Sequence, residues 1–67
     1  MKEAPFRVLR MREVMQITGL SRPTIYRRIA DKTFPASIKL GENSVGWKDI
    51  DIYEWLESRA EPNYDLI

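Results

Sequence analysis

The sequence predicts a mainly α fold with a small β-hairpin, a winged helix-turn-helix with three helices, on three observations. Two short stretches of helical apolar spacing meet at Thr18-Gly19-Leu20-Ser21, an alternating segment broken by turn residues follows, and a third helical stretch opens on two aspartates. With 67 residues, 43% of them hydrophobic and 31% charged, the composition is that of one globular domain rather than a disordered tail. A domain this small buries only about 60% of the surface its unfolded chain exposes. The expected layout is a single domain over 1–67, with its core at about 7–60 and a tail at 61–67.

Arg7-Val8-Leu9-Arg10 is a short apolar pair between arginines, an edge strand or an extended lead-in. From Met11 the residues Met11, Val14, Met15 and Thr18 fall at i, i+3, i+4 and i+7, with Ile17 beside them, the period of a helix with one buried face. Gly19 can take the left-handed conformation that closes such a helix, leaving Leu20 to plug the corner. Ser21 then opens a second helix as its N-cap, and Pro23 is tolerated because first-turn amides have no intrahelical partner.

The second helix is expected to run to about Lys32, ended by Phe34-Pro35, because the residue before proline is pushed out of the helical region. Ile25 and Ile29 lie four apart and face the first helix, which turns Arg22, Thr24, Tyr26, Arg27 and Asp31 partly or wholly outward and leaves Arg28 near the edge of the buried stripe. Ala36 to Leu40 alternates, Gly41-Glu42-Asn43-Ser44 is turn chemistry, and Val45-Gly46-Trp47 resumes an extended run, so 36–47 reads as a hairpin, the wing. Lys48 to about Ala60 returns to helical spacing, with Ile52, Trp55 and Leu56 on one face and Asp49 and Asp51 in the first turn, where carboxylates favour the positive end of the helix dipole. Trp47 and Trp55 are expected in the core, and Pro62 stops the last helix.

Net charge is only +1, but it is segregated. Residues 1–41 hold nine basic and three acidic side chains, net +6; from Glu42 onward there are two basic and seven acidic ones, net −5. A basic half of this kind is the footprint of a phosphate-binding face, while the acidic half suppresses indiscriminate adhesion. The second helix is the part that can read a duplex, since its width fits the major groove, its early residues reach base edges, and Arg pairs with guanine while hydroxyls and amides hold phosphates.

The candidate contacts are Ser21, Arg22, Thr24, Tyr26, Arg27 and Arg28 on that helix, with Lys39, Asn43 and Ser44 on the hairpin. Six of the nine have an ordinary alternative. Ser21 caps its helix whether or not phosphate lies there, Arg27 and Arg28 can be solvated beside Asp31, Tyr26 can be half-buried against the wing, and Asn and Ser are favoured at turn tips for local hydrogen bonding.

The runs Leu9-Arg10-Met11-Arg12-Glu13-Val14, Thr18-Gly19-Leu20-Ser21-Arg22-Pro23-Thr24-Ile25-Tyr26-Arg27, Phe34-Pro35, Lys39-Leu40-Gly41, Val45-Gly46-Trp47, Asp51-Ile52 and Trp55-Leu56 resemble, in order and spacing, the AlpA-type prophage regulators over about residues 9–57. The resemblance implies a MerR-like, excisionase-like winged helix. It would act either as a prophage transcriptional activator or as a recombination directionality factor that bends attachment-site DNA and contacts an integrase. Pro23 departs from the small polar residue more usual there, and it offers no side-chain donor or acceptor for a base contact.

The expected function is therefore sequence-specific binding of double-stranded DNA, with helix 21–32 in the major groove and hairpin 36–47 beside it. The chain has no cysteine and no histidine, so disulfides, thiolate nucleophiles and the usual zinc sites are absent from it; no cofactor, small-molecule substrate or catalysis is expected. Neither a leader nor a membrane-spanning run is expected, and a cytoplasmic, nucleoid-associated protein is. The rival is a protein-interaction module, in which the acidic last helix and Tyr64-Asp65-Leu66-Ile67 meet an integrase, RNA polymerase or a second copy. A homodimer or cooperative array on DNA is compatible with either reading.

Overall fold

In a computed structural model, residues 5–59 are described, in the order β1 (Val8–Leu9), α1 (Met11–Thr18), α2 (Arg22–Ala30), β2 (Ile38–Gly41), β3 (Ser44–Lys48) and α3 (Asp49–Arg59). The expected tail at 61–67 and the end of the last helix at Ala60 lie outside the described residues. The fold is the predicted winged helix-turn-helix, mainly α with an antiparallel sheet.

The corner between α1 and α2 forms as its residues dictate. Gly19 sits at φ +76° and donates its N–H to Met15 O at 2.8 Å, closing α1 in the left-handed conformation that a Cβ disfavours. Thr18 Oγ1 donates back to Val14 O at 2.7 Å and accepts the Leu20 N–H at 3.2 Å, so one hydroxyl serves both sides of the corner. Leu20 packs half-buried against the core.

The end of α2 departs from expectation. The helix stops at Ala30, ahead of Lys32, because Lys32 adopts φ +61°. Lys32 N–H then donates to Ile29 O at 3.0 Å and Thr33 N–H to Arg28 O at 2.8 Å, the paired bonds of a Schellman termination. Phe34-Pro35 comes after this stop rather than causing it, and Phe34 turns inward to 7% exposure.

The hairpin gains a third strand. β3 lies in the centre, in the order β1-β3-β2, with Leu9 opposite Trp47 on one side and Ile38 opposite Gly46 on the other. Of the two readings open for Arg7–Arg10, the edge strand is the one adopted, and it continues beyond β1. Asp49 N–H donates to Arg7 O at 2.8 Å, and Arg7 N–H donates to Asp49 Oδ1 at 3.0 Å, which ties the first strand to the start of α3. The turn is Glu42-Asn43, with Ser44 drawn into β3 opposite Gly41, so the tip lies one residue earlier than Asn43-Ser44.

Leu9, Met11, Val14, Ile25, Phe34, Trp47 and Ile52 form the buried core, to which every element except β2 contributes directly. Ile29, Val45, Trp55 and Leu56 pack on its margin. Trp47 is fully buried and donates its indole N–H to Pro35 O at 3.0 Å, giving its one polar atom a partner inside. Trp55 is only half-buried: its ring lies edge-on to Phe34 with centroids 4.7 Å apart, and the expectation of a core position holds for Trp47 alone.

Candidate nucleic-acid interface

Ile25 is fully buried and Ile29 half-buried, and this fixes which side of α2 faces solvent. Around the helix, the row opposite them carries Pro23, Tyr26, Arg27 and Ala30, while Arg22, one turn before Tyr26, is exposed as the first residue of the helix; all five are exposed, Tyr26 at 49%. Two guanidinium groups and a phenol thus stand together on a surface that nothing described covers.

At the start of α2, Ser21 is extended (φ −79°, ψ 161°) and its Oγ accepts the Thr24 N–H at 3.4 Å, the expected cap. The same hydroxyl donates to Thr24 Oγ1 at 2.9 Å. With Pro23 lacking an N–H and the Thr24 amide capped, the Ser21 and Arg22 amides are the first-turn donors left without a partner among the described residues, at the end of the helix that favours an anion.

The candidates do not form one cluster. Ser21, Arg22, Tyr26 and Arg27 are exposed on α2, while Thr24 is half-buried with its hydroxyl held by Ser21. Arg28 is also half-buried, on the opposite flank, and its Nε is shielded from solvent without a hydrogen-bond partner among the described residues. On the hairpin, Lys39 is exposed opposite Val45, Asn43 is exposed in the turn, and Ser44 is half-buried within β3.

Arg10 was not among the candidates the sequence singled out. It is exposed at the N-cap of α1, and its side-chain Nε donates to Val45 O of the wing at 3.1 Å. Nothing in a Leu-Arg-Met run signals this contact, which spans 35 positions; only the register of β1 on β3 brings the two together.

Beside it, Glu13 accepts the Arg10 N–H at 3.0 Å and pairs with the Arg7 guanidinium. The carboxyl of Glu13 is held below its ordinary value, first by that Arg10 backbone hydrogen bond, with desolvation opposing it and the charge of Arg7 adding to the lowering. Among the described residues, no cavity opens, no set of three or more metal-ligating side chains gathers, and no helix is long and apolar enough to cross a membrane.

A tight glycine corner, a capped second helix with outward arginines and a β-hairpin packed through β3 against α1 and α3 define a winged helix-turn-helix protein. Within that class the chain belongs to the family described as prophage CP4-57 regulatory protein (AlpA), whose model matches residues 7–60. It is 43% identical over 61 residues to the DNA-binding transcriptional activator AlpA of Escherichia coli (strain K12), covering 82% of this chain and 87% of that protein. It is also 42% identical over 53 residues to the uncharacterized protein ORF88 of Enterobacteria phage P4, covering 79% of this chain and 60% of that one. No solved structure matches.

Proposed function

We propose that the chain is a sequence-specific, duplex-DNA-binding regulator of the prophage type. In this reading 1–67 acts as one domain, α2 enters the major groove, and the hairpin lies against the neighbouring backbone. The observation that carries it is the exposure of Arg22, Tyr26 and Arg27 beside the capped start of α2. Arg at such a position offers two parallel N–H groups to guanine O6 and N7, and the Ser21 turn offers amides to phosphate. The printed name of the Escherichia coli relative, a DNA-binding transcriptional activator, supports the same assignment.

The proposed partner is double-stranded DNA, and the proposed setting is the nucleoid of a bacterial cytoplasm. One module of this size covers roughly 600–1,000 Å² of its own surface on DNA, so tight binding calls for two copies on spaced half-sites or a second protein beside it. Duplexes recovered from a random pool should converge on a consensus. Against such a site, Arg22→Ala and Arg27→Ala should each lose about 1–3 kcal/mol and relax preference at one position. Wild-type affinity in both variants would remove the reading.

A further inference from the structure

We propose that Arg10 contacts a backbone phosphate at the base of the wing, with its guanidinium held ready for that contact by the Val45 carbonyl. The inference rests on the DNA-binding reading above and extends it to a residue outside α2 and the hairpin.

The argument starts from the ladder between β1 and β3. Leu9 pairs with Trp47, and two residues away Arg7 pairs with Asp49 through the 2.8 Å backbone bond. In the other direction the next rung would join residue 11 to Val45, but Met11 is already the first residue of α1. The Val45 carbonyl is thus deprived of a backbone donor, and Arg10 Nε takes its place at 3.1 Å.

That bond fixes the plane of a guanidinium whose two terminal nitrogens make no hydrogen bond among the described residues, on an exposed side chain. Glu13, the nearest acid in sequence, does not occupy them: its Oε1 accepts the Arg10 backbone N–H and its Oε2 is taken by Arg7. Other arginines are committed differently. Arg59 donates to Thr33 O and lies over the Trp55 ring, and Arg28 has its Nε buried.

A planar fork with free terminal N–H groups matches two phosphate oxygens, and a side chain already ordered by the wing gives up less conformational freedom on binding than a loose one. Lys39, exposed and directly across the sheet from Val45, places a second cation at the same strand position. The N-terminal end of the α1 dipole, where Arg10 is the cap, adds positive potential.

The test uses the full chain and a fluorescent duplex selected by it from a random pool, with affinity measured across sodium chloride concentration. Arg10→Ala should give a log-log salt slope shallower by about 0.9, the contribution of one phosphate, with the same loss on every sequence. Arg10→Lys should keep the slope and bind more weakly, since it keeps the charge without the fixed fork. In duplexes carrying a single neutral methylphosphonate, one position should weaken the wild type and leave Arg10→Ala unaffected. Thermal melts of the variants check that the fold survives; if Arg10→Ala does not fold, Arg10→Gln, which keeps an N–H donor for Val45 O without the charge, carries the same slope and methylphosphonate tests with the same expected and overturning results. An unchanged slope in Arg10→Ala, or equal methylphosphonate losses in variant and wild type at every position, would show that Arg10 only braces the wing and would overturn the proposal. A wild-type chain that selects no duplex would instead remove the DNA-binding reading itself.

Discussion

Trp55 of α3 donates its indole N–H at 2.8 Å to the carbonyl of Thr33, the residue that follows the left-handed Lys32 at the end of α2. Arg59, one turn further along α3, reaches the same carbonyl at 3.3 Å while its guanidinium lies 4.7 Å from the centre of the Trp55 ring. The last helix thereby grips the chain just after α2, with Phe34 packed edge-on against the indole. Besides the burial of Ile25 and Ile29, the end of α2 is thus held by a contact that involves none of its own side chains.

Trp55→Phe keeps most of the ring area and deletes the N–H. It should destabilise the fold by about 1 kcal/mol, the net value of one such hydrogen bond, because Arg59 still serves the carbonyl. Urea unfolding reads this directly, and the double variant with Arg59→Ala should lose more than the two single losses combined. Strict additivity would mean that the two donors do not substitute for each other.

At Gly46 of β3, side chains and backbone from β1 and β2 close in on the Cα. A Cβ built there would lie 2.6 Å from Val8 Cγ1, 3.0 Å from Leu9 O and 3.1 Å from Leu40 Cδ1. Gly46→Ala should therefore cost about 1–3 kcal/mol through overpacking. Val8→Ala removes the closest of these atoms, so adding it to Gly46→Ala should recover part of the loss, leaving only the Leu9 carbonyl and a flexible leucine to adjust. A double variant at least as unstable as the sum of its parents would contradict this geometry.

These particulars show where the sequence is legible. The periods of all three helices, the Ser21 cap, the Gly19 corner and the turn at 41–44 are local signals, written within a few residues of where they act. Pairing of β1 with β3, the Trp55–Thr33 contact and the Arg10–Val45 bond join positions 22 or more apart, and no spacing rule announces them. Lys32 was opaque for another reason: composition favours glycine or asparagine in a left-handed cap, so a lysine there sends no signal. Among the candidate contacts, helical spacing turns Tyr26 and Arg27 outward as found, but it also turned Thr24 outward, and the half-burial of Thr24 and Arg28, like the one-residue difference at the hairpin tip, needed the tertiary packing and the strand register.

Glu13 predicts a pH dependence. Its folded pKa lies below its unfolded one, so its contribution is present in full above the ordinary carboxylate range and is lost as pH falls through the lowered folded value. Glu13→Gln, which cannot ionise, should be less stable than the wild type near neutral pH, and the gap should close in acid. Because the largest cause is a backbone hydrogen bond from Arg10 rather than the pair with Arg7, part of the gap should survive high salt. Melting temperatures of the two proteins across pH and salt test both parts; a constant difference from neutral to strongly acidic pH would contradict the assignment.

Ser21 separates folding from binding. Its hydroxyl caps α2 through Thr24, so Ser21→Ala should cost about 1 kcal/mol of stability. Aspartate caps as well as serine, and its charge favours the positive end of the helix; Ser21→Asp should match the wild type or exceed it in a thermal melt. On DNA the same charge would sit where the proposed interface receives a phosphate, so affinity should fall, and fall furthest at low ionic strength where repulsion is least screened. Ser21→Asn, a neutral cap of similar reach, should keep both stability and most of the affinity. The diagnostic pattern is a stable Ser21→Asp protein that binds poorly beside an equally stable Ser21→Asn protein that binds well; equal binding by the two would place the start of α2 away from the phosphate backbone, whatever else the helix touches.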